Sequence, residues 1–400
     1  MNVILFYSTA LVLVTGGQGT GSDWPCWRGP AGNGVSSERI ENPAALEKAG
    51  IAWRKNVGDG FSSASVADGR VFISGNRNKK DTVYCFDAVT GRELWRRSYK
   101  CSGGSYPGPR ASAAVDGTSL FVLSRDGRLV CFETDSGAVQ WEKDITALLK
   151  TSCQSWGFAC SPLVEDRFLL IGAGRGGAAL NKETGEVIWS GGEGKTAYAS
   201  PVVFERKGVK RIAIFGPRTI AEVDLRTGGR IWSLPWITRH NNNAADPVII
   251  DGKIFISSGY GRGCALIDGS GPEPRFLWEN KAIRAHFIAP VFIDGFLYGF
   301  DGDIRRKAPL RCIDASTGAV MWSQKTGGPG ALIGAGKRLL ILNEKGLLMI
   351  VEASPSGYSK LAEKRVIEDE KCWSPPVISR GRVFCRGNKG AFVCMCLNGG

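Results

Sequence analysis

The residues able to do chemistry in this 400-residue chain are sparse, and they recur at one kind of place. Arg110, Trp156, Tyr198, Asn242, Asn243, His286 and Trp373 each stand just ahead of a short β-rich run, as does Phe61, and Asp246 in "NNNAADPV" heads another. Aromatic faces, amides and a guanidinium together suit a flat polar ligand, a sugar or a peptide strand, because rings stack on faces and Arg forks onto anions. The same residues could equally bond to one another and fill a channel neck. A reactive set is harder to assemble. His286 and His240 are the only histidines, they sit in different segments, and no carboxylate is fixed beside either. Hydrolysis or elimination on a sugar would need paired carboxylates, and Asp246 stands alone. "DGD" at 301–303 has the look of a calcium loop, although Asp in a turn is ordinarily a turn residue. "SGYGRG" around Tyr260 follows a strand with no helix after it, so it reads as a turn and not a phosphate loop.

The elements that must position these residues are written as a repeat. "CFDAVTGRELW" (85–95) returns as "CFETDSGAVQW" (131–141), "LNKETGEVIW" (180–189), "EVDLRTGGRIW" (222–232) and "CIDASTGAVMW" (312–322), with a looser copy in "LIDGSGPEPRFLW" (266–278). In each copy a strand meets a D-x-x-T-G turn and a second strand ends in tryptophan. The Asp accepts bonds from the following N–H groups and the Gly supplies positive φ. Ahead of each copy lie two more strands around an Asp-Gly type turn, as in "SASVADGRVFIS" and "DPVIIDGKIFIS". Trp95, Trp141, Trp189, Trp232, Trp278 and Trp322 fall about 43–48 residues apart, the length of a four-stranded propeller blade.

A seventh unit (330–364) keeps its strands without the tryptophan, and an eighth (374–398) stops after three. The missing strand is "IAWRKNV" (51–57), whose Trp53 has no blade before it. Pairing it with 391–397 closes the ring and satisfies both open edges. The expected fold is all-β: a single eight-bladed propeller of four-stranded antiparallel blades over 51–400. Trp53 and the six repeat tryptophans are expected to dock blade on blade. Residues 23–50 are expected to cap or cross the ring, with "DWPCWRG" docking by its two tryptophans.

Residues 1–22 carry an apolar run from Val3 to Val14 and then small residues, a signal-peptide pattern too short to span a bilayer. Cleavage after Gly17, Gly19 or Ser22 would fit, although the leader has no Lys or Arg; a disordered or buried apolar start is the alternative. No later stretch could cross a membrane. The net charge of +13 points an exported chain toward anionic partners such as acidic glycan, lipid headgroups or an acidic protein face, and away from nucleic acid. Of the 12 cysteines, Cys85, Cys131, Cys312 and Cys394 fall in equivalent strand slots and read as packing residues. Cys153 with Cys160, or Cys372 with Cys385, could bridge.

"DAVTGRELW", "KETGEVIW" and "DASTGAVMW" resemble the repeat of pyrroloquinoline-quinone (PQQ)-like β-propellers, over the whole chain beyond the leader. "DWPCWRGPAGNGVSSE" is similar to the opening of exported bacterial members that begin D-W-P-x-W-R-G-P. "GPRASAAVDG", "SWGFACSPLV", "LYGFDG" and "KCWSPPV" resemble that subgroup too. The family includes calcium- and quinone-dependent dehydrogenases and also non-catalytic scaffolds of the outer-membrane protein assembly (BamB) type, so fold does not decide function. The dehydrogenases typically hold the quinone with a vicinal disulfide, and no Cys-Cys occurs here. The resemblance therefore implies an exported, periplasmic or extracellular, monomeric binding or scaffold propeller with a protein or glycan partner and no cofactor. A PQQ- and calcium-dependent alcohol or sugar dehydrogenase is the alternative.

Overall fold

The computed structural model describes residues 22–302 and 308–397, and these form eight antiparallel blades of four strands around one axis. The first blade is Ser65–Ala67, Arg70–Arg77, Lys80–Asp87 and Glu93–Lys100, paired in that order from the axis outward. The last has Val377–Ser379, Arg382–Arg386 and Ala391–Cys396, and Ile51–Asn56 completes it as an antiparallel outer strand. The ring is thus closed by a strand that precedes the first blade in sequence. The leader expected over 1–22 lies, Ser22 aside, outside the described residues.

Blades stack face against face, so their middle strands are buried on both sides and read as continuous apolar runs. Leu339–Leu342 and Leu348–Val351 of the seventh blade are buried throughout. The core accordingly lies between blades: one cluster joins Phe72, Cys85 and Trp95 of the first blade to Leu120, Val130 and Phe132 of the second.

The repeated motif makes that joint. Trp53, Trp95, Trp141, Trp189, Trp278 and Trp322 each donate their indole N–H to a carbonyl in the next blade's outer turn, from 2.8 Å (Trp95 to Thr134) to 3.2 Å (Trp53 to Ala88). All of their rings but that of Trp322 lie on that turn's glycine. A Cβ on Gly137 would sit 2.6 Å from Trp95, and one on Gly228 2.5 Å from Trp189. The glycine is thus required twice, for its positive φ (67° at Gly137) and for the indole laid against it. Trp232 packs on Gly269 in the same way, but its N–H goes instead to Glu222 of its own blade, at 2.9 Å. The turn Asp carries the rest: Asp87 accepts from the Thr90 N–H and hydroxyl and from the Val89 N–H. Those bonds, from Thr90 first, hold its carboxyl below the usual range. Their stabilisation is present above the unfolded carboxyl's pKa and is lost as pH falls through the depressed one.

In the seventh blade Ala362 stands opposite Ile350, where the other blades have tryptophan. Leu46 of the short helix Ala45–Lys48, wholly buried, joins the same cluster as Ala362, and Lys364 Nζ holds the Glu47 carbonyl at 2.8 Å. The cysteine slots sit on third strands, with Cys85, Cys131, Cys312 and Cys394 each directly opposite its blade's tryptophan. All twelve cysteines are free, so neither Cys153–Cys160 nor Cys372–Cys385 forms a bridge. Cys160 and Cys372 are packed as small apolar side chains, and burial pushes their thiols up to about 12.

Two alanine substitutions separate the two demands on these glycines. Gly117 has φ 56° and open space where a Cβ would go, so Gly117→Ala should cost about 1–2 kcal/mol from backbone strain alone. Gly137→Ala should cost about 1–3 kcal/mol more through the clash with Trp95. Urea unfolding midpoints read the difference, and equal costs would remove the indole contact as a reason for the glycine.

Candidate functional site

The innermost strands of the first five blades are joined by a relay of side-chain acceptors at their heads. Ser63 N–H donates to Ser112 Oγ, Ser112 N–H to Ser161 Oγ, and Ser161 N–H to Ser200 Oγ, each at 2.9 Å. Ser200 N–H then donates to Asp246 Oδ1 at 2.6 Å. Asp246 thus occupies the relay position held by serine in the blades before it. A backbone N–H ahead of a strand has no ladder partner, so a short polar side chain from the next blade supplies one.

The aspartate differs from the serines in having a second oxygen, and that oxygen reaches the N-terminal segment. Trp27 Nε1 donates to Asp246 Oδ2 at 2.5 Å. Arg28, 6% exposed, donates to the carbonyls of Ala289 and Pro290 in the sixth blade, each at 3.1 Å. On either side of this pair, Trp24 exchanges backbone bonds with Val66 and Val35 pairs in parallel with Gly334. Glu38 accepts from the N–H groups of Arg380 and Gly381. Residues 23–38 therefore run across the axis and touch the first, second, fifth, sixth, seventh and eighth blades. Burial pushes the Asp246 carboxyl up, and Arg28, Trp27 and Ser200 oppose it. Burial likewise lowers the Arg28 guanidinium, with Asp246 opposing.

Above this floor opens a cavity of about 820 Å³ at the heads of the innermost strands. The structure brings Arg110, Trp156, Tyr198, Asn242, Asp246, His286 and Trp373 to its lining. Asn243 is not among them. It is fully buried, its amide donating to the carbonyls of Gly216, Pro217 and Trp236 and its Oδ1 accepting from Ser258, so its work is holding the fifth blade's loop.

The lining is mostly ring faces. Phe61 stacks on Trp373 at 5.5 Å and 24°, and His286 on Phe287 at 3.9 Å and 21°. Tyr260 meets His286 edge-on at 4.9 Å, and Trp156 leans on Tyr198 at 5.8 Å. The guanidinium of Arg110 sits 5.3 Å over Phe61 and donates to the carbonyls of Gly108 and Tyr106. Burial, and then repulsion from Arg125, push it down to about 10. Tyr198 accepts from the Trp156 N–H at 3.4 Å, and burial pushes its hydroxyl up to about 12.

Tyr106, Gln154, Phe287 and Trp27 also line the cavity, as do Tyr260 and His240. Tyr106 and Phe287 adjoin segments whose position was legible, whereas Trp27 arrives from a part of the chain with no strand pattern to place it. At the "DGD" turn, both Asp301 oxygens are taken by arginines: Arg284 binds them bidentately at 2.7 and 2.6 Å, and Arg311 lies 2.9 Å away. Asp303 lies outside the described residues.

With this geometry in place, the chain can be set beside known proteins. A PQQ-repeat profile described as outer membrane protein assembly factor BamB matches residues 44–107 and 79–324. The chain belongs to this BamB-type propeller family. The outer membrane protein assembly factor BamB of Moranella endobia is 23% identical over 68% of this chain and 70% of its own length. The quinoprotein ethanol dehydrogenase of Pseudomonas putida is 26% identical, but over 40% of this chain and 28% of the enzyme. The quinohemoprotein alcohol dehydrogenase of Comamonas testosteroni superposes with a TM-score of 0.68 at 15% identity, over 94% of this chain and 81% of its own. At that identity the likeness is one of fold alone. This BamB-type propeller shares its ring with assembly factors and enzymes alike, and no helix among its described residues is long and apolar enough to cross a membrane.

The floor makes a specific demand. Asp246→Ala should destabilise the protein by about 2–5 kcal/mol, because it leaves the N–H groups of Ser200 and the Trp27 indole without their acceptor. Trp27→Phe, which keeps the ring and loses the N–H, should cost about 1–3 kcal/mol. Limited proteolysis should cut 23–40 in Asp246→Ala first; wild-type stability and protection there would refute the anchoring role.

Proposed function

We propose that the chain is an exported, non-catalytic propeller of the bacterial envelope that holds a protein or glycan partner at the aromatic mouth of its channel. The observation that carries this reading is the state of Asp246. Among the described residues it is the one carboxylate lining the cavity, and its two oxygens accept from Ser200 and Trp27. No second carboxylate among the described residues lines the cavity to pair with it across a sugar ring, which glycoside hydrolysis requires.

The enzymes sharing this fold are named for a quinone. A calcium-bound quinone needs a chelating donor set beside the aromatic faces, and the residues here do not fit one. Among the described residues no three His, Cys, Asp or Glu side chains stand together as ligands, and Asp301 is bound by two arginines. The relative named an assembly factor covers more of this chain than the dehydrogenase does. Its name supports placing the partner in the cell envelope, and the +13 charge favours a partner with an anionic face.

Two measurements test the reading. Calorimetric titration with PQQ, with and without calcium, should give no heat, and micromolar, calcium-dependent binding would move the chain to the dehydrogenase side. In cells, p-benzoylphenylalanine in place of Phe287 at the mouth should crosslink to envelope material. The same group in place of the exposed Val89, in an outer turn, should not. Crosslinking from Val89 alone would place the partner on the rim and overturn the mouth as its site.

A further inference from the structure

The cavity is electrostatically one-sided. Around the first, second and eighth blades three guanidiniums are held on backbone carbonyls. Arg110 bonds Gly108 and Tyr106, Arg125 bonds Gly103 and Tyr106, and Arg386 bonds Ser62, Ser74 and Gly58. None of the three donates a hydrogen bond to a carboxylate. Arg125 has only a 3.8 Å contact with the exposed Asp126. Arg386 is 1% exposed and lies directly behind the wall: a Cβ on Gly60, next to Phe61, would be 2.2 Å from its Nη2. Asp59, Asp81 and Glu370 act on it through space alone. The cavity's carboxylate, Asp246, is on the floor, where Arg28 acts on it through space.

A guanidinium that donates to carbonyls and to no carboxylate has no hydrogen-bonded ion-pair partner, and an anion entering the cavity beside Arg110 would supply one. In front of the guanidiniums stand the stacked faces of Phe61 and Trp373, and Gln154 and Asn242 add amide groups to the lining. Faces for the C–H side of a ring, amides for its hydroxyls and a guanidinium for its charge describe one ligand chemistry. The volume of about 820 Å³ admits more than a single ring.

The geometry points to an acidic oligosaccharide, a sugar ring carrying a carboxylate or sulfate ester seated against Arg110 and the Phe61–Trp373 stack, as the ligand of the channel mouth. This rests on the channel-mouth reading above. Arg110 is the one of the three guanidiniums that reaches the lining, so it makes the contact, while Arg125 and Arg386 set the field behind it. The overall +13 charge would draw an acidic polymer toward the mouth.

Calorimetric titration of the chain with trigalacturonate, a sulfated galactose trisaccharide and neutral galactotriose tests this. The acidic sugars should bind roughly ten-fold tighter than the neutral one at low salt. That preference should narrow as salt is raised. Whichever acidic arm is tighter identifies the anionic group. Arg110→Gln should abolish the preference, Arg110→Lys should keep most of it, and Trp373→Ala should weaken all three sugars together. Equal affinity for the neutral sugar, or a preference surviving Arg110→Gln, would overturn the inference. If no trisaccharide binds while Phe287 still crosslinks its partner, the acidic sugar falls and the mouth reading stands; if both fail, both fall.

Discussion

Everything in this molecule hangs on an indole ring laid over a glycine. Blades in a propeller touch face to face and share no strand, so closure depends on how well each neighbour is seated. In this chain the seat is a tryptophan on one blade's outer strand, in six cases a glycine of the next blade's turn, and in six cases an N–H to a carbonyl of that turn. Burial of such a ring stabilises by about 2–3 kcal/mol, and repetition multiplies a modest term around the circle. The hydrogen bond gives it direction as well, because it fixes where along the turn the indole must sit. Where the tryptophan is missing, in the seventh blade, the chain brings Leu46 from its N-terminal segment to the same cluster. The ring and that segment are therefore one folding unit.

The same dependence explains the site. A ring of short inner strands leaves its N–H groups facing the axis, and the serine relay satisfies them blade by blade. Asp246 does a serine's work in that relay and then, with its spare oxygen, fastens Trp27 across the axis. Arg28 continues into the sixth blade, where Ala289 has no side-chain acceptor and offers its carbonyl instead. A passage is thereby turned into a cup. The residue that looks most like a catalytic acid from its type is the one the architecture can least release.

The sequence made the ring legible for a physical reason. D-x-x-T-G and tryptophan encode local turn geometry and a contact to an adjacent unit, so spacing alone predicts eight blades and the closure by 51–57. The mouth was legible in part, because residues ahead of innermost strands must face the axis; Arg110, Trp156, Tyr198, Asn242, His286 and Trp373 do so. Asn243 breaks that rule since alternate residues of a loop turn inward, and its amide meets three carbonyls there. Trp27 could not be placed, because nothing periodic in 23–50 says which blades it crosses. The relay left its mark in the sequence as Ser or Asp before Pro at 161–162, 200–201 and 246–247, and as Ser before Ala at 63–64 and 112–113. A serine before proline is so ordinary that only its bond to the neighbouring blade gives it meaning.

The division of charge then follows from the topology. On the side where the N-terminal segment crosses, Arg28 and Asp246 lie near enough for their charges to act on each other. On the side where the first and eighth blades meet, Arg386 does different work. It ties the carbonyls of Gly58, Ser62 and Ser74 to the last blade at the point where the ring closes. Asp59, Asp81 and Glu370 act on it through space only, so closing the ring leaves behind Phe61 and Trp373 a guanidinium bonded to carbonyls and to no carboxylate. The field at the mouth is in this sense a by-product of closure. A ligand that answers it takes advantage of charge the fold already needs, and recognition of an anion at this mouth requires only one further residue, Arg110, to carry that charge to the surface of the cup.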